Sequence, residues 1–249
     1  MDGVRMLSAG EQGLVVEFGE SIDFAVNAKV HHTAGLLMAA KLSGVLEVIP
    51  TYRSLLVYFD PLILSRAELS ARLETLLSGE EKASAGGREA KLVEIPVCYG
   101  GEFGPDLEFV AKHNGLSTEE VIAIHTSTPY LVYMLGFTPG FPYLGGMSER
   151  IATPRLQQPR TKIPAGSVGI AGSQTGFYPI ESPGGWQLIG RTPVQAFMPE
   201  AEKPFLFDAG NYLQFVAVSQ EEYESILQEV AAGRYQPKTG ILKEGEVAQ

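Results

Sequence analysis

Arg155, Arg160 and Arg191 fall in one stretch, Thr128 to Gln195, that holds five Arg or Lys and only two acids. Its local balance is +3 in a chain of net charge −10. A guanidinium meets a carboxylate or phosphate with two parallel hydrogen bonds, which an ammonium cannot do. The three arginines are therefore candidates to clamp a small anion; the alternative for any one is a surface ion pair. Lys162 is a weaker candidate of the same kind. His125 ends a helical pattern that runs directly into this stretch. A cation is favoured at a helix C-terminus, and imidazole exchanges protons near neutrality, so His125 is a candidate acid or base, or else a capping or packing residue. The turns Gly166-Ser167-Val168-Gly169 and Ala171-Gly172-Ser173-Gln174-Thr175-Gly176 could present backbone amides to an oxyanion, or be tight turns that need positive φ. Phe137, Phe141, Tyr143 and Trp186 could line an apolar groove, or pack in a core. Glu181 and Ser182 pair an acid with a hydroxyl, with no partnered base to make the serine a nucleophile.

Much chemistry is excluded. There is no Walker A sequence, GxGxxG, HExxH, CxxC or GxSxG. His31, His32, His113 and His125 lack the spacing of a helical metal pair, so no metal site is expected. The net charge argues against nucleic acid as the main ligand, though not against a small anion in a basic pocket. No apolar run reaches the length of a membrane span, and Met1 to Met6 lacks the character of a signal peptide. Cys98 is the sole cysteine, so no intrachain disulfide can form; in a predicted strand it reads as a small buried apolar residue. Together these point to the cytoplasm.

Several elements must position the candidate residues. Leu14 to Phe18, Val45 to Ile49 and Leu55 to Phe59 are predicted strands, and Ser21 to Ala40 a helix on its apolar spacing. Ser65 and Glu68 form a capping box that opens a second helix. Residues 1–80 thus read as a small α+β domain. A linker is expected at 81–90, where apolar periodicity stops. Lys91 to Tyr99 reads as a strand and Asp106 to Asn114 as a helix. Capping boxes at Ser117/Glu120 and Ser219/Glu222 predict two more helices. Between these lie Tyr130 to Leu135, Ser167 to Ala171, Gly176 to Ile180, Gln187 to Gly190 and Tyr212 to Val218 as short strands. The stretch from Thr128 to Gln195 has 11 Gly and 9 Pro in 68 residues, against 17 and 7 in the other 181. Short strands with dense turns suggest a barrel or sandwich over 91–235, and 236–249 is expected to be a loose polar tail.

The wording of the central stretch goes beyond composition. It contains Gly136-Phe137-x-Pro139-Gly140-Phe141-x-Tyr143-Leu144, Pro159-Arg160-x-x-Ile163-Pro164-x-Gly166-Ser167-Val168 and Ala171-Gly172-x-Gln174-Thr175-Gly176. It closes on Ser182-Pro183-Gly184-Gly185-Trp186 and Gly190-Arg191-Thr192-Pro193. With Leu14 to Gly19 and Pro50 to Val57, these motifs resemble the family of 5-oxoprolinase B subunits, also known as the first-subunit family of allophanate hydrolase or the sporulation-kinase inhibitor family. That family is similar to one half of the urea carboxylase carboxyltransferase domain. The resemblance covers nearly the whole chain. It departs from the family's frequent Gly-Asp at Gly210-Asn211.

The resemblance implies an α+β N-terminal domain and a cyclophilin-like β-barrel C-terminal domain. It implies ATP-dependent ring opening of 5-oxoproline to glutamate, with the sister C and A subunits of 5-oxoprolinase as partners and ATP as co-substrate. In that setting His125, Arg160 and Arg191 would be catalytic. Phe137, Phe141, Tyr143, Arg155, Gly172, Gln174, Thr175, Gly176, Glu181, Ser182, Trp186 and Thr192 would contact substrate. A second reading is a protein that inhibits a sensor histidine kinase by docking its aromatic groove on the kinase. A third is a component acting in urea or allophanate metabolism.

Overall fold

The computed structural model describes residues 3–21, 23–79 and 89–243, and the chain divides into two compact units, Met1–Gly87 and Arg88–Gln249. In the first unit, period-two burial sets the sheet. Strands β1 (Arg5–Ser8), β2 (Gly13–Glu17), β3 (Val45–Pro50) and β4 (Ser54–Phe59) pair antiparallel in the order β1-β2-β4-β3. Leu14, Val16, Leu55, Val57 and Phe59 all face one side and are buried. Helix α1 (Phe24–Ala40) adds Val30, Ala34 and Leu37 to that core, and α2 (Arg66–Gly79) adds Leu69, Leu73 and Leu77.

The start of α1 differs from the expected Ser21, because Asp23 is the N-cap and its carboxylate accepts from the Val26 amide at 2.8 Å. The capping box before α2 forms as read. The Ser65 amide donates to Glu68 at 3.0 Å and the Glu68 amide to the Ser65 hydroxyl at 3.3 Å. Strand β1 was not expected. The expected linker lies outside the described residues as far as 88, and its last two residues belong to a strand.

That strand is β5 (Glu89–Tyr99), the axis of the second unit. The others are β6 (Tyr130–Leu135), β7 (Pro142–Gly145), β8 (Arg160–Ile163), β9 (Ser167–Ala171), β10 (Gln174–Phe177), β11 (Ser182–Gly184), β12 (Gln187–Arg191), β13 (Tyr212–Ala217) and β14 (Thr239–Lys243). The main sheet runs β10-β9-β12-β5-β13-β6-β7, with β14 on β5. Its two ends lie side by side. Gly176 of β10 sits so near the Pro142 carbonyl of β7 that a Cβ would come within 3.0 Å of the oxygen. The sheet is therefore a nearly closed barrel, and β8 with β11 forms a separate ribbon.

Eleven residues let β5 hold two partners on one edge: β14 along Glu89 to Val93, and β12 at Cys98 and Tyr99. The loose tail expected at 236–249 is thus corrected. Thr239–Lys243 is an antiparallel strand, because β5 offers it an unpaired edge. The barrel core takes Val93, Ile95 and Val97, Val168 and Ile170, Ile189, and Leu213 and Phe215. Helices α3 (Leu107–Asn114) and α4 (Thr118–His125) pack Leu107, Val110 and Val121 against it. The α5 helix (Gln220–Ala231) opens on the Ser219/Glu222 capping box. Asn211 closes the turn before β13, its side-chain oxygen accepting from the Asp208 amide at 3.0 Å. An aspartate oxygen could accept the same bond, so the departure from Gly-Asp leaves this turn contact in place and removes only a charge.

Candidate functional site

The aromatic residues named from the sequence come together, but most are covered. Phe141 stands edge-on to Tyr143, Tyr178 and Trp186, with ring centroids 5.3, 5.6 and 5.5 Å away. With Ile163, Ala171 and Leu188 they form a small core on the outer side of the barrel. Phe141 and Trp186 are buried, so they support this surface and do not line an open groove. Phe137 is different. It sits in the turn between β6 and β7 with φ +63° and is 64% exposed. A left-handed conformation is uncommon for a bulky residue and costs on the order of 1–3 kcal/mol.

The basic residues separate into two places. Arg160 is engaged: its Nη2 donates to Asp106 Oδ1 at 2.8 Å and its Nη1 to the Trp186 carbonyl at 3.2 Å. Asp106 also accepts from the Leu188 amide at 2.6 Å, which ties β8, β12 and the start of α3 together. A ligand anion would have to displace Asp106, so the clamp expected at Arg160 is replaced by an internal ion pair. Arg155 is exposed and lies with Arg160 near the Tyr178 phenol. Burial pushes that phenol up to about 12, and Arg155, the Trp186 backbone and Arg160 oppose the rise. Tyr178 was not singled out in the sequence; the pairing of its neighbourhood with Arg155 is purely tertiary. Arg191 closes β12, four residues beyond the Gln187 next to Arg160's anchor, on the order of 13 Å at the rise of a strand.

His125 is corrected outright. Its ring is fully buried and bonded on both nitrogens, Nδ1 to the Tyr99 hydroxyl and Nε2 to Thr175 Oγ1, each at 2.7 Å. Thr175 spends its own proton on the Gly169 carbonyl at 3.1 Å. Thr175 therefore accepts from Nε2–H, and Nδ1 accepts from Tyr99. The ring also stacks on Phe215 at 4.6 Å. Burial pulls its pKa down to about 3. It is a neutral core residue and cannot trade protons with a bound substrate.

The glycine turns are committed as well. Gly172 (φ +60°) turns β9 into β10, and its amide donates to the Thr153 carbonyl at 2.8 Å. The Gly166 amide donates to the Tyr178 carbonyl at 2.7 Å. Gly166 needs its positive φ of +80°, and a Cβ there would overlap the Thr192 carbonyl and meet Arg191 Cγ at 3.3 Å. Neither turn offers a free pair of amides, so the expected oxyanion cradle is not formed by them. Gln174 starts β10 and Gly176 is packed beside Pro142. Glu181 pairs with Lys162 at 3.0 Å on the surface. The Ser182 hydroxyl donates to the Ile180 carbonyl, and the buried Thr192 hydroxyl accepts from the Val194 amide. Of the named residues, Arg155 and Phe137 are exposed and Arg191, Tyr143 and Gln174 are half-buried, so these keep reach toward a ligand or partner. Among the described residues no three His, Cys, Asp or Glu side chains cluster to suit a metal, and no helix is long and apolar enough to cross a membrane.

Residues 4–207 match the family model of the carboxyltransferase domain, subdomain C and D. The chain is 49% identical to the 5-oxoprolinase B subunit of Bacillus subtilis, over 88% of this chain and 95% of that one. The chain belongs to the family of 5-oxoprolinase B subunits. A relative of the same description from Escherichia coli O157:H7 is 41% identical over 87% of this chain and 97% of its own. Among solved structures, TTHA0988 superposes with a TM-score of 0.74 at 40% identity, covering 84% of this chain. This chain spans only 40% of that longer polypeptide. Kluyveromyces lactis urea carboxylase shares the fold at a TM-score of 0.78 and 22% identity, over 98% of this chain and 24% of that one. This module therefore matches either a chain of similar length or part of a longer one.

Proposed function

We propose that this chain is the B component of an ATP-dependent 5-oxoprolinase, opening 5-oxoproline to L-glutamate in the cytoplasm together with its sister A and C subunits. The observation that carries this is near-full-length identity of 49% and 41% to two chains named as that component. The site chemistry agrees with a shared centre. A lactam is a poor electrophile, and ATP would activate it by phosphorylating the lactam oxygen so that water can open the ring. Among the described residues the Ser182 hydroxyl donates to a backbone carbonyl and has no paired base, the histidine candidate is buried and neutral, and the amides of the glycine turns are already used. On this reading the ATP phosphates sit on a partner subunit, and Arg191 is the residue of this chain that meets the acid. Co-expression with the A and C subunits, followed by an assay of glutamate release from ATP and 5-oxoproline, tests the assignment. A stable complex that releases no glutamate would refute it.

One observation favours a second reading. Phe137 is held out in a left-handed turn with most of its ring exposed, as suits an anchor that docks on another protein. A sensor histidine kinase captured through Phe137, with no sister subunit required, would support an inhibitor in place of an enzyme subunit.

A further inference from the structure

Ser167 opens β9 and Arg191 closes β12, and the two are directly opposed. The Thr192 amide donates to the Gly166 carbonyl, so the pair occupies a non-hydrogen-bonded position, where facing side chains stand closest. On its other side Arg191 is opposed by Cys98 of β5. Ser167, Arg191 and Cys98 thus form a row across three strands, on the face turned away from the core that takes Val168, Ile189 and Val97. Phe103 lies over the row, its ring centroid 5.6 Å from Arg191 Cζ, and it packs on Tyr223 of α5 at 4.7 Å. Burial raises the Tyr223 phenol, and the nearby Arg191 guanidinium opposes that rise. A hollow of about 380 Å³ lies at the Cys98 end of the row, lined by Cys98, Glu102, Phe103, Val218 and Gln220 and not by Ser167, Arg191 or Tyr223.

Two buried polar atoms in this row have no partner: Ser167 Oγ, on a residue that is 0% exposed, and Arg191 Nε. Among the described residues four such atoms occur, and two belong to this one opposed pair. A buried polar group without a partner is unfavourable, and each one asks for an explanation. Arg191 Nε–H can only donate, and the serine hydroxyl can donate too. Two unused donors beside a fixed positive charge call for an acceptor that carries negative charge. Glu102 and Glu221 act on Cys98 at the edge of the row. Their charge opposes an anion there, a dianion more strongly than a monoanion.

We propose that Ser167, Arg191 and Tyr223 form a niche for the carboxylate of a small organic acid. One carboxylate oxygen takes Arg191 Nε–H, the other takes the Ser167 hydroxyl, and Tyr223 borders the pair. The choice of 5-oxoproline as first probe rests on the proposed function; the niche itself does not.

The test is a binding titration of the full chain, followed by NMR, with 5-oxoproline, its carboxamide, acetate and inorganic phosphate as probes. Ser167→Ala and Arg191→Gln are compared with the unaltered chain, and circular dichroism establishes that each is folded. The expected result is carboxylate binding that weakens at least tenfold in Arg191→Gln and at least threefold in Ser167→Ala, with the carboxamide at least tenfold weaker than the acid. Ser167→Ala removes only an unpartnered hydroxyl and keeps the fold. Acetate bound through Arg191 with no preference for 5-oxoproline upholds the niche and counts against the oxoprolinase assignment. Phosphate binding tighter than any carboxylate overturns the proposal. So does carboxylate binding unchanged in both variants, or no binding at all, which would leave ordered water as the partner of both atoms.

Discussion

Lowering the pH from 7.5 to 5 is expected to destabilise the second unit by about 2 kcal/mol through His125 alone. The ring is buried between Phe215, Tyr99 and Thr175, and burial lowers its pKa from 6.5 to about 3. Its folded pKa lies below its unfolded one. Between these values the unfolded chain holds the extra proton, so stability falls as the pH falls from about 6.5 toward 3. At pH 5 the gap from 6.5 is 1.5 units, and at about 1.36 kcal/mol per unit this gives about 2 kcal/mol. Urea unfolding at the two pH values measures the loss. The same measurement on His125→Gln cancels the carboxylates, which titrate in both proteins. The unaltered chain should lose about 2 kcal/mol more than the variant. Equal losses, or an imidazole resonance that titrates near pH 6.5 in the folded protein, would refute the buried neutral ring.

Three further outcomes follow from the packing. Arg160→Ala should destabilise by about 1–2 kcal/mol, since it leaves Asp106 partly buried without its cation; a double-mutant cycle with Asp106→Asn reads the coupling, and a drop in substrate binding with no change in stability would restore Arg160 as a clamp. Gly166→Ala should cost upwards of about 2 kcal/mol in a thermal or urea scan, because φ is +80° and its Cβ would overlap the Thr192 carbonyl. Phe137→Gly should raise stability by about 0.5–1 kcal/mol by relieving the left-handed backbone, while weakening association with a partner chain; a pull-down that is indifferent to the change would remove Phe137 as an anchor.

What could be read from the sequence was local. The Ser65/Glu68, Ser117/Glu120 and Ser219/Glu222 boxes each open a helix, because a capping box is complete within four residues. Leu14 and Val16, and Leu55, Val57 and Phe59, alternate with more exposed neighbours, so their strands show directly. Strands β1 and β14 were not legible: Arg5–Ser8 and Thr239–Lys243 have little apolar alternation and are strands because a neighbour supplies the ladder. The site divides in the same way. Glycine, proline and arginine density singled out one segment, Thr128 to Gln195, but not which of its side chains are already engaged. Which arginine is engaged and which has an unused donor depends on Asp106, 54 residues from Arg160 in sequence, and on the register that sets Ser167 against Arg191. Ser167 carries no signal of its own until that register is known, and His125 looked available only because nothing local reveals that Phe215 covers it.

The most direct test of the assignment omits one component at a time from a reconstituted mixture of this chain with the A and C subunits, ATP and 5-oxoproline, and measures glutamate. Release is expected from the complete mixture and should fall to background without this chain. Glutamate formed at the same rate by the two sister subunits alone would contradict a role for this chain in the ring opening.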